Sequence, residues 1–78
     1  MYIMSQDKKI ICNCNKINVV KNFAGGKSQK YIIQGATDLE GIIPLGFFEE
    51  EKLAIAELQN IFDALADGER TYTVKIYN

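Results

Sequence analysis

Cys12 and Cys14, separated only by Asn13, are the residues of this 78-residue chain whose type and spacing come nearest to chemistry. Two thiolates can hold a soft metal ion, but a tetrahedral shell needs two further ligands. The chain has no histidine and no third cysteine, so carboxylates or a second subunit would have to complete it. On a strand both side chains point to the same face, about two residues' rise apart, a geometry that a disulfide would strain. The reading adopted is two reduced cysteines acting as small core-facing hydrophobes, with no metal bound.

Gly25-Gly26-Lys27-Ser28 matches the tail of a phosphate-binding P-loop. The full motif wants glycine at position 21, where Lys21 stands, and a helix directly after the Lys-Ser pair. Residues 29–34 are β-prone instead, so the stretch reads as a hairpin loop and no cofactor is expected. Without histidine, the usual general base and nucleophile activator are both missing. Glu49, Glu50 and Glu51 read as the solvated first turn of a helix, and Asp63 with Asp67 as its wet face. The expectation is a non-enzymatic protein without catalytic residues.

One candidate surface is left. Lys21, Lys27, Lys30 and Lys75 lie on segments that also carry Tyr31 and Tyr77. Basic groups beside strand aromatics can combine phosphate contacts with base stacking. A single-stranded nucleic acid or a nucleotide is therefore the alternative partner, bound on the sheet face opposite the helix.

The elements that would position these residues follow from hydrophobic periodicity. Residues 49–66 form the single convincing helix, with Ile55, Leu58, Ile61, Phe62 and Leu65 on one face. Glu57, Gln59, Asn60, Asp63 and Asp67 fall on the other. No Ser, Thr, Asp or Asn caps its start, and Gly68 stands where a left-handed C-terminal cap is expected. If the face is buried, Phe62→Ala costs about 3–5 kcal/mol. Strands are expected at 2–4, 9–14, 17–23, 30–36, 42–47 and 71–77. Pro44 puts its strand at a sheet edge or at a bulge. In the last strand Tyr72, Val74 and Ile76 face the core. The expected architecture is one α+β domain, residues 1–78. Its antiparallel meander has about five to six strands, with the helix packed on one face before the C-terminal strand.

Composition narrows the partners. A hydrophobic content of 47 % argues for a packed chain over a disordered one. Nine basic and ten acidic residues leave a net charge of −1, which favours a protein partner or self-association over nucleic acid. No apolar run approaches the roughly 20 residues that cross a bilayer, and the N-terminus lacks a basic n-region and an apolar h-region. The expectation is a cytoplasmic protein without membrane contact. Residues 71–77 contain no proline or glycine, so at a sheet edge they could pair with their own copy and form a homodimer.

Tyr2-Ile3-Met4-Ser5-Gln6-Asp7-Lys8-Lys9 before an Ile-Ile strand, and Leu45-Gly46-Phe47-Phe48 leading into a Glu/Lys-rich amphipathic helix, carry a resemblance. The chain resembles small uncharacterised proteins of low-GC Gram-positive bacteria and of their phages and prophages. The resemblance implies a phage or prophage accessory role, such as modulating a host protein, and carries over no functional residue.

Overall fold

The computed structural model describes residues 1–76; Tyr77, the last residue of the expected Lys/Tyr surface, lies outside them. The element order is β1 (Tyr2–Met4), β2 (Ile11–Cys12), β3 (Lys16–Lys21), β4 (Tyr31–Thr37), β5 (Gly41–Phe48), α1 (Glu51–Ala66) and β6 (Thr71–Thr73). The α+β class holds, but the single meander does not form. The described strands make two three-stranded sheets, ordered β2-β1-β6 and β3-β4-β5.

The split has a local cause at the cysteines. The expected strand 9–14 is reduced to Ile11–Cys12, because a disulfide joins Cys12 to Cys14 across 5.5 Å between Cα atoms. That separation is ordinary for a disulfide, once the chain bends away from strand geometry after Cys12. The expectation of two reduced thiols is therefore corrected. Asn15 then donates its N–H to the Ala36 carbonyl at 2.8 Å and starts the second sheet. Cys14 fits there because its neighbour across the fold is Gly35, where a Cβ would collide with the Cys14 sulfur. As a staple the bond is weak: closing a three-residue loop removes chain entropy worth roughly 1.6 kcal/mol, against about 3 for a 15-residue loop.

The second sheet is the expected meander in miniature. β3 and β4 pair antiparallel with Val19 opposite Ile33, and β4 pairs with β5. Between Ile33 and Gln34 the register shifts, because β5 presents Gly46 and Pro44 to those two residues and leaves Leu45 as an extra. The proline thus sits on an outer strand next to a bulge, where its missing N–H disturbs no ladder.

The first sheet joins the chain's two ends. β6 runs parallel to β1, with Ile3 opposite Tyr72, so every other element forms the crossover between them. β1 and β2 are joined by a tight turn in which Lys8 adopts a φ of 63°. Buried Ser5 organises that turn: its hydroxyl donates to Asp7 Oδ1 at 2.6 Å and accepts the Ile10 N–H at 3.1 Å.

The two sheets and the helix share one core of Ile3, Ile33, Leu45, Phe48, Ala54, Ile61 and Val74, with Cys12 and Ile43. The helix starts without a side-chain cap, as its sequence indicates. It ends in a Schellman arrangement, with Gly68 at φ +78° donating to Leu65 and Glu69 donating back to Ala64.

Two polar side chains fasten the C-terminal segment. Glu57 lies fully buried at the centre of the helix's core face, a correction of its expected solvent position. Its Oε2 accepts the Tyr72 hydroxyl at 2.9 Å and the Lys75 N–H at 2.7 Å, and its Oε1 accepts Asn60 Nδ2 at 2.9 Å. Gln6 reaches the same segment from the other side. Its Nε2 donates to the Lys75 carbonyl at 3.0 Å and the Phe47 carbonyl at 3.2 Å, while its Oε1 accepts the Phe47 N–H at 2.9 Å. Its own N–H donates to the Leu45 carbonyl at 2.6 Å, so Gln6 occupies the outer edge of β5 as a short strand would.

Two stability outcomes follow. Glu57→Ala removes the part-buried hydrogen bonds from the Tyr72 hydroxyl and the Lys75 N–H, and at about 1.5–3 kcal/mol for a bond to a charged group it should lower the unfolding free energy by about 3 kcal/mol in urea. Asp63→Ala, on the exposed face, should change it by less than about 0.5 kcal/mol. A near-neutral Glu57→Ala would contradict the clamp. The second outcome concerns Asp7, whose carboxyl is held below the ordinary 3.8 by the Ser5 hydroxyl and then by the Lys9 N–H. A pKa lowered by folding adds stability above the unfolded value, and that stability is lost as pH falls through the folded pKa. Asp7→Asn should therefore show a shallower loss of stability below pH 3.8 than wild type in pH-resolved urea melts. Identical acid limbs would remove that role.

Candidate functional site

The helix carries more apolar surface than its core can use. Ala54, Glu57 and Ile61 are buried, with Leu53 and Leu58 half-buried beside them. That stripe is displaced by about one residue from the expected face. Ile55, Phe62 and Leu65, all expected in the core, are 52 %, 61 % and 55 % exposed. The expected register is thus corrected: Ile61 and Leu58 are shared, and Phe62 is a surface residue. Rotation toward Glu57 follows from its polar partners, which lie on only one side of the helix.

The displaced apolar face borders a groove. Its volume is about 500 Å³, and Ile55, Leu58, Ile61, Phe62 and Leu65 form the helix wall and floor. Cys14, Asn15, Lys16 and Ile17 form the opposite wall, at the start of β3. β3 is also an end strand of its sheet. Asn22 donates its N–H to the Lys30 carbonyl, continuing the β3–β4 ladder one residue beyond each strand. By the two-residue alternation of an antiparallel ladder, Ile17, Val19 and Lys21 turn their N–H and C=O groups outward. Among the described residues no strand pairs with that edge. An open strand edge and an exposed apolar helix face therefore lie side by side. The other end strand, β5, has its edge occupied by Gln6.

A smaller cleft of about 370 Å³ is lined by Cys12, Asn13, Asp38, Leu39 and Ile43 among others. Cys12 is 3 % exposed while Cys14 is half-buried, so the half of the disulfide that borders the groove is the more exposed residue.

The Lys/Tyr residues are distributed as follows. Lys21 and Tyr31 face each other across the β3–β4 pair, and the Lys21 Nζ lies 5.5 Å from the centroid of the Phe23 ring. Tyr31 shares the alternation of fully buried Ile33 and packs against the core, so it lies on the helix side of its sheet. Lys27 and Lys30 are exposed in the connection between β3 and β4. Lys75 follows β6 in the other sheet, its side chain exposed and its backbone held by Glu57 and Gln6. The face of β3-β4-β5 away from the helix carries Val20, Ile32 and Phe47 in one cross-strand row. Gly25-Gly26-Lys27-Ser28 forms a turn, with Gln29 donating to the Gly26 carbonyl, and leads into β4.

Among the described residues no three His, Cys, Asp or Glu side chains gather to hold a metal ion. No described helix is long and apolar enough to cross a membrane. Set against known protein families, curated proteins and solved structures, the chain matches none of them.

The groove was reachable from sequence only as an excess. Leu53 and Ala54 together with Ile55, Leu58, Ile61, Phe62 and Leu65 span more than one helical face, a width that one core contact does not require. The corrected register sets opposite fates for adjacent residues. Ile61→Ala should cost about 2–5 kcal/mol, whereas Phe62→Ala should fall within about 1 kcal/mol of wild type. Equal losses in chemical denaturation would restore the expected register.

Proposed function

We propose that this chain is a small interaction module that binds an extended polypeptide segment along β3 and in the adjoining groove. The observation that carries the reading is the juxtaposition of the open β3 edge with exposed Ile55, Phe62 and Leu65. An incoming strand satisfies the outward N–H and C=O groups of Ile17, Val19 and Lys21, and its alternate side chains enter the groove. Backbone pairing supplies affinity, and the apolar wall supplies selectivity for residues of matching size. The net charge of −1 sets no strong preference for a charged partner and leaves a second copy free to approach. A phage or prophage accessory role belongs to the same proposal and rests on the resemblance.

The test is a selection from displayed peptides followed by mapping. Selected peptides should shift the backbone amide signals of Ile17, Val19 and Lys21, and Phe62→Asp should weaken them by at least about tenfold, some 1.4 kcal/mol. The helical circular dichroism of Phe62→Asp should match wild type. Peptides that map elsewhere, or bind Phe62→Asp equally, would defeat the reading. Light scattering decides whether the segment comes from a second copy: a mass of 8.8 kDa at all concentrations excludes it.

A further inference from the structure

We propose that the Cys12–Cys14 disulfide is a thiol–disulfide exchange site, with the Cys14 sulfur the one attacked. Its partner is a thiol borne on an apolar polypeptide segment lying in the groove; that choice of partner, though not the exchange itself, rests on the groove being a docking surface. Three observations converge on it. The bond closes a loop of only three residues, so it constrains the chain little for a bond placed between two sheets. The two residues are unequally shielded, Cys12 being 3 % exposed and Cys14 half-buried along the groove wall. The bond also spans the segment that leaves the first sheet and enters the second. Asn15 and Lys16, next in that segment, line the same groove. Shielding makes a disulfide resist exchange, and of these two residues only Cys14 reaches the surface.

The step balances without any further reagent. An incoming thiolate attacks the Cys14 sulfur, forming a mixed disulfide and releasing Cys12 as a thiolate, which takes a proton from water. A second thiol of the partner, as its thiolate, attacks the partner's own sulfur in the mixed disulfide and releases Cys14, likewise protonated. Two partner thiols are thereby oxidised to a disulfide, and the protein's disulfide is reduced to two thiols. The reverse direction serves a partner that arrives oxidised. Opening the bond removes the tie between Cys12 and Cys14, and Cys14 lines the groove.

The experiment uses the full chain, incubated with reduced glutathione and then alkylated and mapped by fragment mass spectrometry. Native protein should form the mixed disulfide at Cys14 while keeping its helical signal. In the single variants, Cys14 of Cys12→Ser should react with an aromatic disulfide reagent in the folded state, and Cys12 of Cys14→Ser should react only after denaturant is added. Exchange that waits for unfolding, or adducts found on Cys12, would overturn the proposal without reference to the variants. Partner choice is read separately, with a cysteine-bearing apolar peptide compared with glutathione. Phe62→Asp should slow the peptide about tenfold more than it slows glutathione. Equal slowing of both, or of neither, removes the polypeptide partner and leaves a site for small thiols.

Discussion

The Glu57 carboxylate is the contact on which the rest of the arrangement turns. A carboxylate fully removed from water is costly unless donors converge on it. Here the donors come from Asn60 on the same helix and from Tyr72 and Lys75 after it. The bonds to Tyr72 and Lys75 fix the rotation of α1 about its axis and place the C-terminal segment against it. Val74, between those two partners, is driven into the core at 2 % exposure and donates its N–H to the Met4 carbonyl. The parallel pairing of β6 with β1 is thus supported by a polar clamp as well as by its own short ladder.

The groove is a consequence of that rotation. Turning Glu57 inward leaves Ile55, Phe62 and Leu65 on the flank, above the start of β3. Exposed apolar side chains that form a continuous surface mark binding sites far more often than isolated ones do. The adjoining strand edge gives this surface a directional hydrogen-bonding component. The contrast with β5 is instructive, since Gln6 supplies both a donor and an acceptor to Phe47 and so removes the equivalent edge. One edge of the meander is closed by the chain itself and the other is open. The disulfide lies where the open edge begins, and its Cys14 half lines the groove.

Much of the chain was readable because local rules governed it. The single helix, its missing N-cap and its Gly68 terminus follow from periodicity and capping chemistry, and Pro44 pointed to an edge strand or a bulge, of which the structure has both. The sequence reading placed Ile76 in the core with Tyr72 and Val74, but β6 ends at Thr73 and Ile76 is 63 % exposed. The Lys/Tyr residues shared a composition, and the fold spread the described ones between the β3–β4 hairpin and the segment after β6. Composition cannot report which strands become neighbours when their pairing spans most of the chain.

By itself, then, the sequence determined the α+β class, the order and approximate places of the elements, and where the helix stops, because each depends on residues within a few positions of one another. Tertiary structure alone decided the division into two sheets, the rotation of α1 and the open edge of β3. Glu57 shows the reason. Its charge assigns it to solvent until Tyr72 and Lys75, distant in sequence, arrive with the hydrogen bonds that make burial affordable. Cys12 and Cys14 show it again: straight-strand geometry kept their sulfurs apart, and the turn between the sheets, with Gly35 leaving room, brought them together.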